Sequence, residues 1–87
     1  MTEREVVIGH RLGIHARAAA RLVELSSKFQ ASIVLFRSDP SNPVEADARS
    51  ILSILLLSAG YGSKLGVRAS GVDEDQAVES ICEYLAG

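Results

Sequence analysis

Apolar and polar residues alternate along this chain in two different periods, and the switches between them mark out the elements. Val6 and Ile8 fall on one side of an extended backbone and Val7 on the other, which predicts a short strand over 5–8, ended by Gly9. From 16 to about 28 the period is helical. Ala18, Leu22, Leu25 and Phe29 form an apolar stripe, and Arg17, Arg21, Glu24 and Lys28 form a charged one. Glu24 precedes Lys28 by four residues, the favourable order for a helical ion pair. Period two returns over 30–36, where Ala31, Ile33 and Leu35 share the face expected to be core. Ser32, Val34 and Phe36 share the other, which leaves Val34 and Phe36 exposed on an uncovered sheet face, either as a tolerated surface pair or as a self-association patch.

Residues 38–43 (Ser, Asp, Pro, Ser, Asn, Pro) are turn chemistry throughout and predict the tip of a loose hairpin. Val44, Ala46 and Ala48 then give the returning strand, with Glu45 and Asp47 toward water. Ser50 is placed to cap a helix over 51–57. Almost every position of that segment is apolar, more than one buried stripe requires, so some of Ile51, Leu52 and Leu55 are expected at the surface. Gly60, Tyr61 and Gly62 make a turn, and Leu65, Val67 and Ala69 make a strand that stops at Gly71. A last helix follows, with Asp73 and Gln76 spaced as a capping box and Glu74 and Asp75 at its positive end. Its buried stripe is Ala77, Val78, Ile81, Cys82 and Leu85, which makes Cys82 a small core hydrophobe. The order strand, helix, strand, strand, helix, strand, helix implies an α+β fold, an antiparallel sheet with helices on one face.

Composition narrows the functional classes. With 87 residues, 47% hydrophobic and 23% charged, the chain is one small domain over 1–87 with a modest core. A net charge of −2 and an aromatic content of 5% argue against nucleic acid. An RNA-binding domain of the same element order needs basic and aromatic residues on its sheet, and Phe36 alone hints at that. A single cysteine excludes an internal disulfide, and no secretory leader pattern is present, so a cytoplasmic location is expected. The longest apolar run, over 51–57 and broken by Ser53, spans about 10 Å as a helix against roughly 30 Å of hydrocarbon, so no membrane insertion is expected. No metal-ligand spacing, Walker loop or nucleophile elbow occurs, and no cofactor is implied.

The chemistry concentrates at Leu12, Gly13, Ile14, His15, Ala16 and Arg17, where a glycine-containing loop turns into a helix. His15 falls at or beside the N-cap. The first amides of a helix lack internal partners and the peptide dipoles add partial positive charge there, so this end suits an anion such as phosphate. Arg17 adds a forked donor able to grip two phosphate oxygens. Imidazole, with an ordinary pKa of about 6.5, keeps a nucleophilic lone pair near neutral pH. Two roles fit His15: a solvated cap, or a group that accepts and releases a phosphoryl. His10, with no ligand set or helix end nearby, is expected in solvent, with a second acid-base role as the lesser alternative. Ser50 likewise fits a plain cap or a phosphoserine, which the helix dipole would also favour.

The segment from Leu12 to Arg17, the run Arg49, Ser50, Ile51 and Leu52, and the strand-to-helix passage over 69–75 occur in the order and spacing of a known family. Over nearly its whole length the chain resembles HPr, the histidine-containing phosphocarrier of the bacterial phosphoenolpyruvate-dependent sugar phosphotransferase system. The resemblance implies an HPr-like open-faced sandwich, a four-stranded antiparallel sheet with three helices on one face (βαββαβα), and a carrier that is not itself an enzyme. It implies that His15 takes a phosphoryl group on Nδ1 from phospho-enzyme I and passes it to enzyme IIA, with Arg17 holding the phosphoryl oxygens. Ser50 matches the serine modified by HPr kinase/phosphorylase where one exists, and Ile51, Leu52 and Leu55 match the docking patch. A monomer is expected. Ala18 stands where many family members have proline, and the 38–43 turn is longer than usual. The alternative is a regulatory module on the same scaffold, in a nitrogen-type branch or in catabolite regulation, acting through Ser50 and the 51–57 helix.

Overall fold

The computed structural model describes residues 1–37, 41 and 43–87. Among them the elements run β1 (Thr2–Val7), α1 (Ala16–Ser26), β2 (Ser32–Arg37), β3 (Val44–Asp47), α2 (Ile51–Leu56), β4 (Lys64–Ser70) and α3 (Glu74–Ala86), the βαββαβα order that the sequence implies. The strands form one sheet in the order β1-β4-β2-β3, with every neighbouring pair antiparallel. β1 and β2 therefore point the same way with β4 inserted between them, and β3 and β4 point the same way around β2. Each of these pairs is joined through a helix, and the right-handed preference of such crossovers puts α1 and α2 on the same side of the sheet. The core lies on that side. Leu65, Val67 and Ala69 of β4 and Ile33 and Leu35 of β2 meet Leu22, Ile54, Leu57, Val78, Ile81 and Leu85 from the helices, all of them fully or almost fully buried.

Several boundaries differ from the sequence expectation for identifiable reasons. β1 begins at Thr2 instead of position 5, because the polar run Thr2 to Glu5 is an edge strand, paired from Thr2 with Ala69 to Val7 with Lys64. Charged residues are common on such edges and conceal them from a hydrophobic pattern. α1 stops at Ser26, where the N–H groups of Lys28 and Phe29 close tight bonds to Leu25 and Ser26. Its surface ion pair joins Glu24 to Arg21 at 3.5 Å in place of the expected Glu24 with Lys28. Val34 and Phe36 are half-buried and not exposed. The Phe36 ring lies over Gly66, where an added Cβ would come within 2.2 Å of it, and the Arg68 guanidinium sits 5.1 Å from the ring centroid.

The Asp73 and Gln76 capping box does not form. Asp73 occupies the N-cap of α3 without a side-chain cap bond, and its carboxylate accepts instead from the Gln30 and Ala31 amides. The hairpin tip expected over 38–43 lies mostly outside the described residues. Cys82 is buried as expected, and burial pushes its thiol pKa up. Among the described residues no helix is long and apolar enough to cross a membrane.

Candidate functional site

The loop that carries His15 is pressed against the segment after α2. Gly13 has φ +70°, and a Cβ there would lie 2.6 Å from the Ala59 carbonyl oxygen and 2.9 Å from Gly60 Cα, so a side chain is excluded both by conformation and by space. The Ile14 N–H donates to that Ala59 carbonyl at 2.9 Å, and the Ile14 side chain is buried. This anchor delivers the next residue to the start of α1. Leu12 and Tyr61, the residues beside the Gly13–Gly60 contact, are both exposed.

His15 is the N-cap of α1, with extended backbone (φ −88°, ψ −176°), and its carbonyl accepts the N–H of Ala19 at 2.9 Å. Its Nδ1 accepts from the Arg17 backbone N–H at 3.2 Å. A backbone amide can only donate, so Nδ1 presents its lone pair to the helix end, and in the neutral ring the proton resides on Nε2. The ring therefore performs the service that a serine or aspartate performs at other N-caps, satisfying one of the first-turn amides. It does so while exposed, as are Ala16 and Arg17. The cap role open to His15 in the sequence thus falls to Nδ1, on a side chain that is itself exposed.

Ser50 lies at the other end of α2 from Ala59. Its Oγ accepts from the Ser53 N–H at 3.3 Å and donates to Ser53 Oγ at 3.0 Å, which makes it the cap of that helix. The neighbouring Arg49 does not turn toward it. One guanidinium nitrogen instead donates to the carbonyls of Ser26, Phe29 and Ala31 at 3.2, 2.6 and 3.1 Å, tying down the end of α1.

The apolar face of α2 differs in one position from the expected patch. Ile51 is 43% exposed and Leu52 68%, as anticipated, but Leu55 is half-buried against the core and Leu56 is exposed at 67%. Helical spacing accounts for this. Leu52 and Leu56 are one turn apart and share a face, while Ile54 and Leu57 point inward and draw Leu55 with them. The i, i+4 spacing from Leu52 was the signal that would have found Leu56. His10 is the other correction: it is half-buried, and its Nε2 lies 2.7 Å from the Tyr84 carbonyl at the end of α3. That partner is 74 positions away in sequence, beyond the reach of local pattern.

Comparison with known proteins points to a single family. The family profile for PTS-HPr, described as the PTS HPr component phosphorylation site, matches residues 2–87. The phosphocarrier protein HPr of Xylella fastidiosa is 39% identical over 85 residues, covering 98% of this chain and 91% of that one. The phosphocarrier protein NPr of Shewanella violacea is also 39% identical, over 83 residues, covering 95% and 87%. Among solved structures, the HPr of Bacillus anthracis superposes with a TM-score of 0.88 at 27% identity, covering 97% of this chain and 95% of that one. A match running nearly from end to end, on relatives this similar in sequence and in fold, makes the chain a member of the HPr family, phosphocarriers of the bacterial phosphotransferase system that carry a phosphoryl group and do not themselves act as catalysts.

Proposed function

We propose that His15 Nδ1 accepts a phosphoryl group from phospho-enzyme I and passes it to an enzyme IIA. The observation that carries this reading is the Nδ1 lone pair held at the exposed N-terminus of an eleven-residue helix by the Arg17 amide. In the transfer, that lone pair attacks phosphorus as the bond from phosphorus to the donor breaks, and the bonding electrons leave with the donor. The proton on Nε2 stays in place. Forming the new N–P bond consumes the lone pair that received the Arg17 N–H, which frees that amide to donate to a phosphoryl oxygen. The helix end thus exchanges one acceptor for a more highly charged one, which its partial positive charge favours. Arg17 adds its guanidinium for the remaining oxygens. In-line geometry and further charge neutralisation come from the partner enzyme.

Ile51, Leu52 and Leu56 form an apolar surface on α2 for partner docking, with Leu55 supporting it from below. Ser50 is a second, regulatory site for an HPr kinase/phosphorylase. Its Oγ caps α2, so a phosphate on it keeps an acceptor at the same helix end and adds charge beside the docking leucines. Acting alone through Ser50 and the 51–57 segment, the chain would be a regulatory module, in a nitrogen-type branch or in catabolite regulation.

The test is transfer of labelled phosphate from phosphoenolpyruvate through a bacterial enzyme I, comparing wild type with His15→Ala. Acid-labile label confined to His15, absent in the variant and passed on to enzyme IIA, is the expected result. Label on a residue other than His15 would overturn the reading, and so would none at all with the cognate enzyme I. Signalling lost in Ser50→Ala but retained in His15→Ala would establish the regulatory module in its place.

A further inference from the structure

The loop between β1 and α1 is clamped at its entry, well before it reaches His15. The Gly9 N–H donates to the Leu85 carbonyl at 2.9 Å. A Cβ on Gly9 would fall 1.8 Å from the Ala86 carbonyl oxygen, so the backbone itself is pressed against the end of α3. One residue later, His10 Nε2 lies 2.7 Å from the Tyr84 carbonyl oxygen and must be the protonated, donating nitrogen, because a carbonyl only accepts. The two rings are in contact, with centroids 4.9 Å apart and planes tilted by 48°. The main chain of His10 then makes the next link. Its carbonyl accepts the Gly13 N–H at 2.9 Å and closes the 10–13 turn, after which Ile14 is bonded to Ala59 and His15 begins the helix.

Two features separate this arrangement from simple saturation of a helix end. The Tyr84 carbonyl already accepts the Gly87 N–H at 3.2 Å, so it is not orphaned without His10. An open cleft of about 450 Å3, lined by His10, Leu25, Ser80, Glu83 and Tyr84, lies beside the ring, so His10 is not wedged in place by packing on every side. The hydrogen bond and the ring contact are the interactions that hold it to α3.

The geometry points to His10 as a positioning residue for His15. Its ring, tied to the last turn of α3, sets the 10–13 turn, and through Gly13 and Ile14 sets the angle at which Nδ1 of His15 faces the Arg17 amide and an incoming phosphoryl group. This inference rests on the carrier reading of His15.

The experiment compares wild type with His10→Gln, His10→Phe and His10→Ala, all below their melting temperatures. Glutamine carries an N–H donor to about the place of Nε2, and phenylalanine keeps the ring contact without a donor. Phosphoryl acceptance from phospho-enzyme I is measured with KM and maximal rate separated, and the Arg17 amide and His15 ring nitrogens are followed by NMR in the unphosphorylated proteins. His10→Phe and His10→Ala lower the maximal rate about tenfold with KM nearly unchanged, the size expected of a misplaced reacting group. Both shift the Arg17 amide resonance, and His10→Gln restores rate and resonance together. Wild-type rates and an unmoved Arg17 resonance in His10→Phe overturn the inference. So does a rate loss that His10→Gln fails to rescue and that merely follows melting temperature. A wild type that takes no label at His15 overturns the carrier reading and this inference with it; a labelled wild type beside an undisturbed His10→Phe overturns this inference alone.

Discussion

Asp73 holds by its amides the same turn that Arg49 holds by its carbonyls. The Asp73 carboxylate accepts from the Gln30 and Ala31 N–H groups, each at 2.9 Å, and Arg49 donates to the Phe29 and Ala31 carbonyls. Ala31 is fully buried against Gly71, where a Cβ would lie 2.6 Å from its Cα, so its polar groups have little access to water and need partners. Removing Arg49 takes the side-chain donor from these two carbonyls and from that of Ser26. Arg49→Ala is expected to cost about 2 kcal/mol, a charge-assisted bond lost with acceptors left wanting. For a domain of this size that is a fall of roughly 10 °C in melting temperature, measured by calorimetry. Arg49→Lys recovers only part of it, since a compact ammonium fits the spread of carbonyls less well than a planar guanidinium.

The same turn gives the protein an acid limit. The Gln30 N–H holds the Asp73 carboxyl below its usual range, against the opposing effect of burial and with help from the Ala31 N–H and the nearby Arg49. The Glu74 pKa is pulled from 4.5 to about 2 by the N-terminal ammonium at 2.7 Å, then by the Gly71 N–H and the Thr2 hydroxyl. Both groups titrate lower in the folded chain than in the unfolded one. Their stabilisation is therefore full above the ordinary carboxylate range and is lost as pH falls through the folded values, for Glu74 between 4.5 and about 2. Melting temperature should drop across that window. Asp73→Asn should be less stable than wild type at neutral pH, and the gap should close as both are taken to low pH.

Ser50 separates two kinds of change at one site. Ser50→Ala removes the acceptor for the Ser53 N–H and should lower stability by about 1 kcal/mol, read as a shift of about 4–8 °C in a thermal melt. Ser50→Asp keeps an acceptor at the N-cap and adds a charge that the helix end favours, so its melting temperature should return to or exceed that of wild type. A stable Ser50→Asp that is a poorer substrate for enzyme I would show that charge at this position, and not loss of the cap, governs partner contact.

The elements legible in the sequence are those whose side chains alternate cleanly between core and water, such as Ile33 and Leu35 in β2 or Val78, Ile81 and Leu85 in α3. The place of His15 at the N-cap of α1 was legible too, since a glycine-containing loop gives way there to a helical period. The features that escaped are long-range. Asp73 has the spacing of a local cap, yet its carboxylate is spent on amides 42 and 43 positions away. Arg49 reaches back 18 to 23 positions, and His10 reaches forward 74. Each of these side chains bonds a backbone group that is brought near it only once the chain has folded, and no periodicity records such a meeting.

The surface of α2 offers a prediction in which binding and stability part. Leu52 and Leu56 share one exposed face a helical turn apart, while Ile54 and Leu57 on the other side hold the helix to the core. Side chains this exposed gain little from folding, so Leu52→Ser with Leu56→Ser should change stability by no more than about 1 kcal/mol. Burial against a partner is another matter, because a few apolar anchors at the centre of an interface commonly carry more than 1 kcal/mol each. The double variant should raise the KM for phosphoryl acceptance from phospho-enzyme I about tenfold or more while leaving the maximal rate close to wild type. Val72→Ser supplies the control: Val72 is still more exposed, at 87%, but lies between β4 and α3 on no helix face, so its loss should leave KM unchanged. Equal effects of the two changes would mean that general surface hydrophobicity, and not the α2 face, brings the partner in. An unchanged KM in the double variant would remove α2 from the docking surface and move the test to Leu12 and Tyr61, the exposed apolar neighbours in sequence of Gly13 and Gly60, which touch.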